Sequence, residues 1–223
     1  MPAAVIHEPL TRSVEDYLKA IYRLSSAGQP AATTEIAHLL ELSAPSVSGM
    51  VKRLAEQGLL QHHPYKGVAL TAAGRTAALR TIRRHRIIES YLVDHLGYDW
   101  DTVHAEAERL EHAVSDQLIE RMASALGDPK VDPHGDPIPT ADGRIEEPTY
   151  IPLPELPVGV TAEIRRVDDD FPDRLRYLAT LGLKPGASIR VTARQPFNGP
   201  TTVEVAGVEQ AVGFELGMGV YCR

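Results

Sequence analysis

Residues 33–58 read TTEIAHLLELSAPSVSGMVKRLAEQG, and the fold turns on them. Thr34, followed by Glu35, Ile36, Ala37, Leu39 and Leu40, predicts a short capped helix, and Glu41 and Leu42 a turn. Ser43 then caps a further helix in which Val47, Met50, Val51 and Leu54 recur at helical spacing, with Pro45 in the first turn, where a missing N–H costs nothing. Upstream, Ser13 predicts the cap of a helix carrying apolar Val14, Tyr17, Leu18, Ile21, Tyr22 and Leu24, stopped by Gly28 and Pro30. Downstream, Gly58 ends the helical run, and Leu59 to Thr71, with Pro64 and Lys66-Gly67 in the middle, predict two short strands around a turn. Helices, a turn and a hairpin in this order make a winged helix-turn-helix.

Beyond it, residues 75–126 read as two amphipathic helical segments. One carries Ile82, Ile87, Ile88, Tyr91 and Leu92; the other carries Val103, Ala107, Leu110, Val114, Leu118 and Met122. Apolar faces this long exceed what the winged module covers, so self-association is expected. Gly127 to Pro157 is rich in Pro, Gly and Asp and reads as a linker. Residues 158–223 switch to β-branched runs, Ile189 to Thr192 and Thr201 to Val205, punctuated by Gly182, Gly186, Gly199 and Gly207, the texture of a small SH3-like β-barrel. The expected fold class is mainly α with β. Its expected domains are residues 1–80 (winged helix-turn-helix), 81–146 (helical, metal-binding and dimer-forming) and 147–223 (linker and SH3-like domain).

Composition narrows the function classes. With 43% hydrophobic and 24% charged residues the chain is globular, and 5% aromatics argue against a stacking platform for RNA or sugar. The lone cysteine, Cys222, excludes an internal disulfide framework or thiolate cluster. No run reaches the roughly 18 apolar residues of a membrane span, and the opening MPAAVIHEPLTRS lacks a secretory pattern, so a cytoplasmic protein without membrane contact is expected. The net charge of −7 hides an asymmetry: residues 12–86 hold 11 Lys and Arg against 5 Asp and Glu, or +6, leaving −13 for the rest. Such a division suits a DNA-facing module and a carboxylate-rich remainder, although an ordinary solvated face gives the same count.

The most informative chemistry lies in His104-Ala-Glu-Ala-Glu108-Arg-Leu-Glu111-His112. On one continuous helix His104, Glu108, Glu111 and His112 share a face beside apolar Ala107, Leu110 and Val114. Carboxylates at such a border need compensation, and a divalent cation supplies it. The preceding segment adds His85 and Glu89 at i, i+4, and Glu15 and Asp16 stand on the first helix. A solvated row of His and Glu is the competing interpretation; pairs on two neighbouring helices favour metal.

These blocks closely resemble the diphtheria toxin repressor family of metal-dependent transcriptional repressors. The resemblance runs through residues 13–24 (SVEDYLKAIYRL), 43–48 (SAPSVS), 85–89 (HRIIE), 103–112 (VHAEAERLEH) and 133–139 (PHGDPIP), and more weakly through Gly182-Leu-Lys-Pro-Gly186 of a ferrous-transport-accessory-like domain. It implies a principal metal site from Asp16, Glu108, Glu111 and His112. A second site is implied from His85, Glu89 and His104, with Asp168 and Asp169 of the barrel domain as further ligands. Iron-responsive relatives carry methionine and cysteine where Asp16 and Glu108 stand here. This harder, oxygen-rich set therefore points to Mn²⁺, with Fe²⁺ the alternative and other divalent transition metals binding in vitro. Lys19 stands where short manganese-responsive relatives carry a glutamate that builds a two-metal cluster, which favours two separated sites instead.

The resemblance further implies a homodimer on a palindromic double-stranded DNA operator. Ser43, Pro45, Ser46, Ser48, Lys52, Arg53 and the wing's Lys66 are the expected DNA contacts. The expected function is a manganese-dependent repressor of metal uptake and homeostasis genes without an organic cofactor. An iron-dependent repressor, or a winged-helix regulator sensing an organic ligand, is the alternative. An enzyme is not expected. Oxygen-activating bundles need a Glu-x-x-His pair from each of two helices, which the ligand segments lack, and no serine elbow, phosphate loop or HExxH motif is present.

Overall fold

Thr11, rather than Ser13, occupies the N-cap of the first helix, α1 (Arg12–Leu24), a shift within the usual fraying of helix ends. The computed structural model describes residues 10–25, 29–63 and 65–223, so the expectations for Gly28 and Pro64 lie outside the described residues. The described chain forms two compact units. The first runs to His85 and takes in Glu111–Val114 and Pro139–Ile145; the second holds Arg86–Leu110, Ser115–Ile138 and Glu146–Arg223.

In the first unit, α1 is followed by α2 (Thr33–Leu39), α3 (Ala44–Glu56), β1 (Leu60–His63), β2 (Gly67–Leu70) and the opening of α4 (Ala72–Leu96). Ala32 precedes α2 where Thr34 was expected as cap; Glu35 compensates by accepting the Ala32 N–H at 3.2 Å. Ser43 caps α3 as the sequence predicts, accepting the Ser46 N–H at 3.4 Å, with Pro45 in the first turn. One face of α3 buries Val47, Val51 and Leu54 in a core shared with Val14, Leu18 and Ile21 of α1 and Ile36 of α2. The hairpin is antiparallel, Leu60 opposite Leu70 and His63 opposite Gly67, and forms the wing. Ala31 anchors its root through paired backbone bonds to Val68 of 2.8 and 2.9 Å. Gly67 is required there: its φ is +114°, and a Cβ would fall 2.1 Å from the Ala31 carbonyl oxygen.

The second unit contains the rest of α4, then α5 (Val103–Leu110), α6 (Asp116–Ala125) and a C-terminal sheet. The expected helical run from Val103 to Met122 is broken. α5 ends at Leu110, and Ser115 restarts the chain as N-cap of α6, accepting the Leu118 N–H at 3.3 Å. Glu111 and His112 therefore lie in a turn instead of one turn further along the His104–Glu108 face.

The sheet follows through β3 (Ile151–Pro152), a 3₁₀ turn, β4 (Thr161–Val167), α7 (Pro172–Thr180), β5 (Ser188–Arg194), β6 (Thr201–Val205), β7 (Val208–Val212), α8 (Phe214–Met218) and β8 (Val220–Cys222). Its order is β3-β8-β4-β5-β6-β7, with antiparallel neighbours. The fold is barrel-like and SH3-like in size, but no ladder joins β3 to β7 among the described residues. A two-residue β3 containing Pro152, which lacks an N–H, offers little to close it. The core gathers Leu153, Ile164, Val167, Leu175, Ile189, Val191, Val203 and Val220, with Trp100 packed against it.

Within the same unit the stretch expected as linker holds this sheet in place. Val167 donates its N–H to the His134 carbonyl at 2.9 Å, and Arg166 pairs with Asp136 at 3.3 Å. Gly135, at φ +91°, meets the Arg165 carbonyl where a Cβ would come within 1.9 Å. Residues 131–138 are thus ordered by tertiary packing despite their loop-like composition, with Asp132 and His134 buried.

Candidate metal centres and DNA-binding surface

In the first unit Asp16 and Glu111 flank His112, each offering a ligand atom within 4.8 Å of the others. His112 Nε2 stands 2.8 Å from Asp16 Oδ1 and 3.3 Å from Glu111 Oε1, yet is aligned for a hydrogen bond with neither. Its Nδ1 lies 2.6 Å from Glu15 Oε2. Donation from Nδ1 to a carboxylate fixes the tautomer that leaves the Nε2 lone pair facing two more carboxylates, which is the arrangement a metal-ligating histidine adopts. The donor set fits a hard divalent cation.

Around these three side chains, permanent cations hold two of the carboxylates. Arg84 bonds Glu15 at 2.9 Å, and Lys19 reaches both oxygens of fully buried Glu111, at 2.9 and 3.0 Å. His85 adds a 2.5 Å contact to Glu111 Oε2. Burial alone would raise the Glu111 carboxyl, but His85 and Lys19 outweigh it and hold it below the usual carboxylate range.

The second unit brings His104, Glu89 and Asp169 together: His104 Nδ1 is 3.2 Å from Glu89 Oε1 and 3.2 Å from Asp169 Oδ2. Burial opposes protonation of His104, yet the two carboxylates prevail and raise it to about 10. Glu108, on α5, stands 3.7 Å from His104 Nε2. Asp168 points elsewhere, to Arg166 at 3.2 Å and Tyr221 at 3.5 Å. Burial raises its carboxyl to about 6, with Arg166 opposing and Asp170, Asp136 and Asp169 adding to the rise.

Glu89 also belongs to a buried group with Asp132 and His134, neither of which the sequence marks as a ligand, although His134 lies in the 133–139 block of the family resemblance. His134 Nε2 donates to the Trp100 carbonyl at 2.6 Å, so its Nδ1 presents a lone pair. That Nδ1 has no hydrogen-bond partner, and Glu89 Oε2 is 3.9 Å away, too far for a hydrogen bond. Asp132 Oδ1 accepts the N–H groups of His134 (2.8 Å) and Asp136 (3.0 Å). Burial first, then the charges of Asp136 and Glu89, push the Asp132 carboxyl up against the opposing pull of Arg86. The available sequence signal was the His and Asp inside Asp132-Pro-His-Gly-Asp-Pro-Ile-Pro139, where a flexible linker has no use for either.

On the first unit's surface, Ser43, Pro45, Ser46, Ser48, Lys52 and Arg53 are all exposed on α3 opposite its buried face, and Lys66 is exposed in the wing turn. Ser46 Oγ lies 2.9 Å from Ser43 Oγ, and Ser48 Oγ donates to the Ala44 carbonyl at 2.9 Å. Each serine retains acceptor capacity toward a second partner.

Comparisons with known proteins agree along the chain. Residues 9–68 match the iron dependent repressor N-terminal DNA binding domain, residues 71–140 the iron dependent repressor metal binding and dimerisation domain, and residues 151–223 the FeoA domain. The chain is 33% identical over 212 residues to the iron-dependent repressor IdeR of Mycobacterium tuberculosis, covering 90% of this chain and 91% of that protein. It is similar to a solved manganese-dependent transcriptional repressor in complex with manganese (TM-score 0.86, 40% identity, 94% of this chain and 99% of that one). It also resembles ScaR with bound Cd²⁺ (TM-score 0.82, 36% identity, 94% and 98%).

Proposed function

The chain belongs to the diphtheria toxin repressor family of metal-dependent, DNA-binding transcriptional repressors, regulators rather than enzymes, and from that premise we propose that Mn²⁺ is the metal it answers to. Its DNA-binding and dimerisation domains make it a DNA-binding homodimer. No helix among the described residues is long and apolar enough to cross a membrane. A repressor works beside the chromosome, so its place is the cytoplasm.

The observation that carries the proposal is His112 Nε2 facing Asp16 and Glu111 at 2.8 and 3.3 Å while Nδ1 is tied to Glu15. We assign Asp16, Glu111 and His112 to the principal centre. His85 orients Glu111. One imidazole among carboxylates suits manganese better than a thioether and thiolate set would, so selectivity comes from ligand hardness and availability, not from raw affinity. Glu89, His104 and Asp169, with Asp132 and His134, form the second centre. Asp168 is assigned to Arg166 instead.

A bound divalent cation supplies the charge that ties α1 of the winged module to the turn at Glu111–His112. Asp16 contributes from the DNA-binding module and the other two ligands from the segment between α5 and α6, so occupancy fixes one against the other. A dimer reading a palindromic operator needs its recognition helices about 34–36 Å apart, and restricting a hinge raises the fraction that has that spacing. α3 is the recognition helix, Ser43 presenting its N-terminus to phosphate, with Lys52, Arg53 and Lys66 as cationic contacts. The domains of the protein are then residues 1–80, 81–146 and 147–223.

The test is an anaerobic titration of operator binding by chelator-treated protein with Mn²⁺, Fe²⁺ and Zn²⁺. Half-maximal repressor–operator complex at lower free Mn²⁺ relative to each metal's cellular range is the expected result. Iron responding in its range while manganese does not would reassign the metal, and equal binding with and without metal would refute the mechanism.

A further inference from the structure

We propose that Lys19 is a built-in counter-ion of the principal centre that sets the metal concentration at which it fills. The inference rests on the assignment of Asp16, Glu111 and His112 as ligands. Lys19 lies on α1, three residues after Asp16, and its Nζ is 2.9 Å from Glu111 Oε1 and 3.0 Å from Oε2. Glu111 has no exposed surface, and a buried carboxylate must have its charge answered. With His85 Nδ1 also on Oε2 at 2.5 Å, both oxygens of the carboxylate are engaged by side chains of the protein.

A divalent ion using Glu111 must therefore take over an oxygen that an ammonium holds. It must also tolerate that ammonium's charge or drive it outward. Both effects weaken metal binding, and neither contributes to the DNA complex. The residue type suits displacement: lysine carries a compact, strongly hydrated charge on a flexible stem. The Lys19 side chain keeps 22% of its surface exposed, so it reaches water by a rotamer change. Arg84 holds Glu15 at 2.9 Å and has no such conflict, because Glu15 supports His112 from the Nδ1 side and need not release its cation when Nε2 binds metal. Lys19 is thus a positioning residue acting through Glu111: it lets the centre stand without metal and reserves filling for a higher concentration.

The experiment measures Mn²⁺ binding to the full-length protein by loss of the free-ion EPR signal, for wild type, Lys19→Gln, Lys19→Met and Lys19→Arg. The site class lost in His112→Ala identifies the principal centre. Both uncharged variants are expected to bind there about ten- to a hundredfold more tightly, as removal of one partly screened unit charge implies, with Lys19→Arg within about threefold of wild type. Thermal unfolding without metal should show both uncharged variants folded but less stable, since Glu111 loses its partner. Unchanged or weaker Mn²⁺ binding in Lys19→Gln and Lys19→Met would overturn the inference, as would tightening in Lys19→Arg equal to that in Lys19→Gln. A failure of His112→Ala to remove any site class would instead overturn the ligand assignment beneath it.

Discussion

The two candidate centres answer the same electrostatic problem with different charges. Around Glu15 and Glu111 two permanent cations, Arg84 and Lys19, share the compensation with the imidazoles of His112 and His85. Around Glu89 and Asp169 the partner is a titratable ring, His104, raised to about 10, while Arg86 stands 3.5 Å from Asp132, whose carboxyl burial and its acidic neighbours push up. A centre balanced in part by fixed side-chain charge exchanges fewer protons as it empties and fills. One balanced by protons binds metal by exchanging them and draws its stability from staying occupied.

The largest expected effect separates the two directly. His112→Ala removes the ligand whose Nε2 faces Asp16 and Glu111, and should abolish the Mn²⁺-dependent part of operator affinity, a loss on the order of 100-fold, while the dimer stays folded. Fluorescence anisotropy of labelled operator with and without Mn²⁺ measures it; a retained metal response would move the sensing role to the other centre. His134→Ala should reverse the balance. It deletes a fully buried ring that donates to the Trp100 carbonyl, costing about 3 kcal/mol in denaturant unfolding while operator binding at saturating Mn²⁺ falls only a few-fold. A greater loss of operator response than in His112→Ala would erase the distinction.

What could be read from the sequence divides along similar lines. The winged module was legible because its signals are local: Ser43 caps α3, Pro45 sits where no N–H is needed, and Val47, Val51 and Leu54 mark the buried face. Asp16, Glu111 and His112 were named from the family resemblance, but not the turn that carries two of them. Apolar spacing through Ala107, Leu110 and Val114 continues across it, so periodicity gives no sign of the break. Ser115 was the overlooked local sign of a restart. Asp132 and His134 were hidden because proline and glycine there read as a linker, whereas Gly135 is required by the approach of the Arg165 carbonyl, a tertiary fact. Among the barrel-domain aspartates, only the fold distinguishes Asp169, beside His104, from Asp168, beside Arg166.

A smaller effect sharpens the proton distinction. His104 is charged below its raised pKa of about 10, so metal at the second centre must displace that proton. Affinity there should therefore rise with pH, by up to about tenfold per unit for one proton displaced, and fall on acidification. At the principal centre Arg84 and Lys19 supply part of the charge that answers the carboxylates, so the slope there should be shallower. Calorimetry in buffers of different ionisation enthalpy counts the protons released, and equal release at both centres would contradict the contrast. The smallest effect is a control outside both centres. Ser43→Ala removes the α3 cap at a cost of about 1 kcal/mol and should weaken operator binding modestly, with Mn²⁺ affinity unchanged at either centre.

The most direct examination is anomalous diffraction at the manganese edge from crystals grown with Mn²⁺ under conditions where operator binding requires the metal. A peak within bonding distance of Asp16, Glu111 and His112 Nε2 is the predicted result. Strong peaks elsewhere with none at those three side chains would contradict the claim that manganese joins α1 to the Glu111–His112 turn.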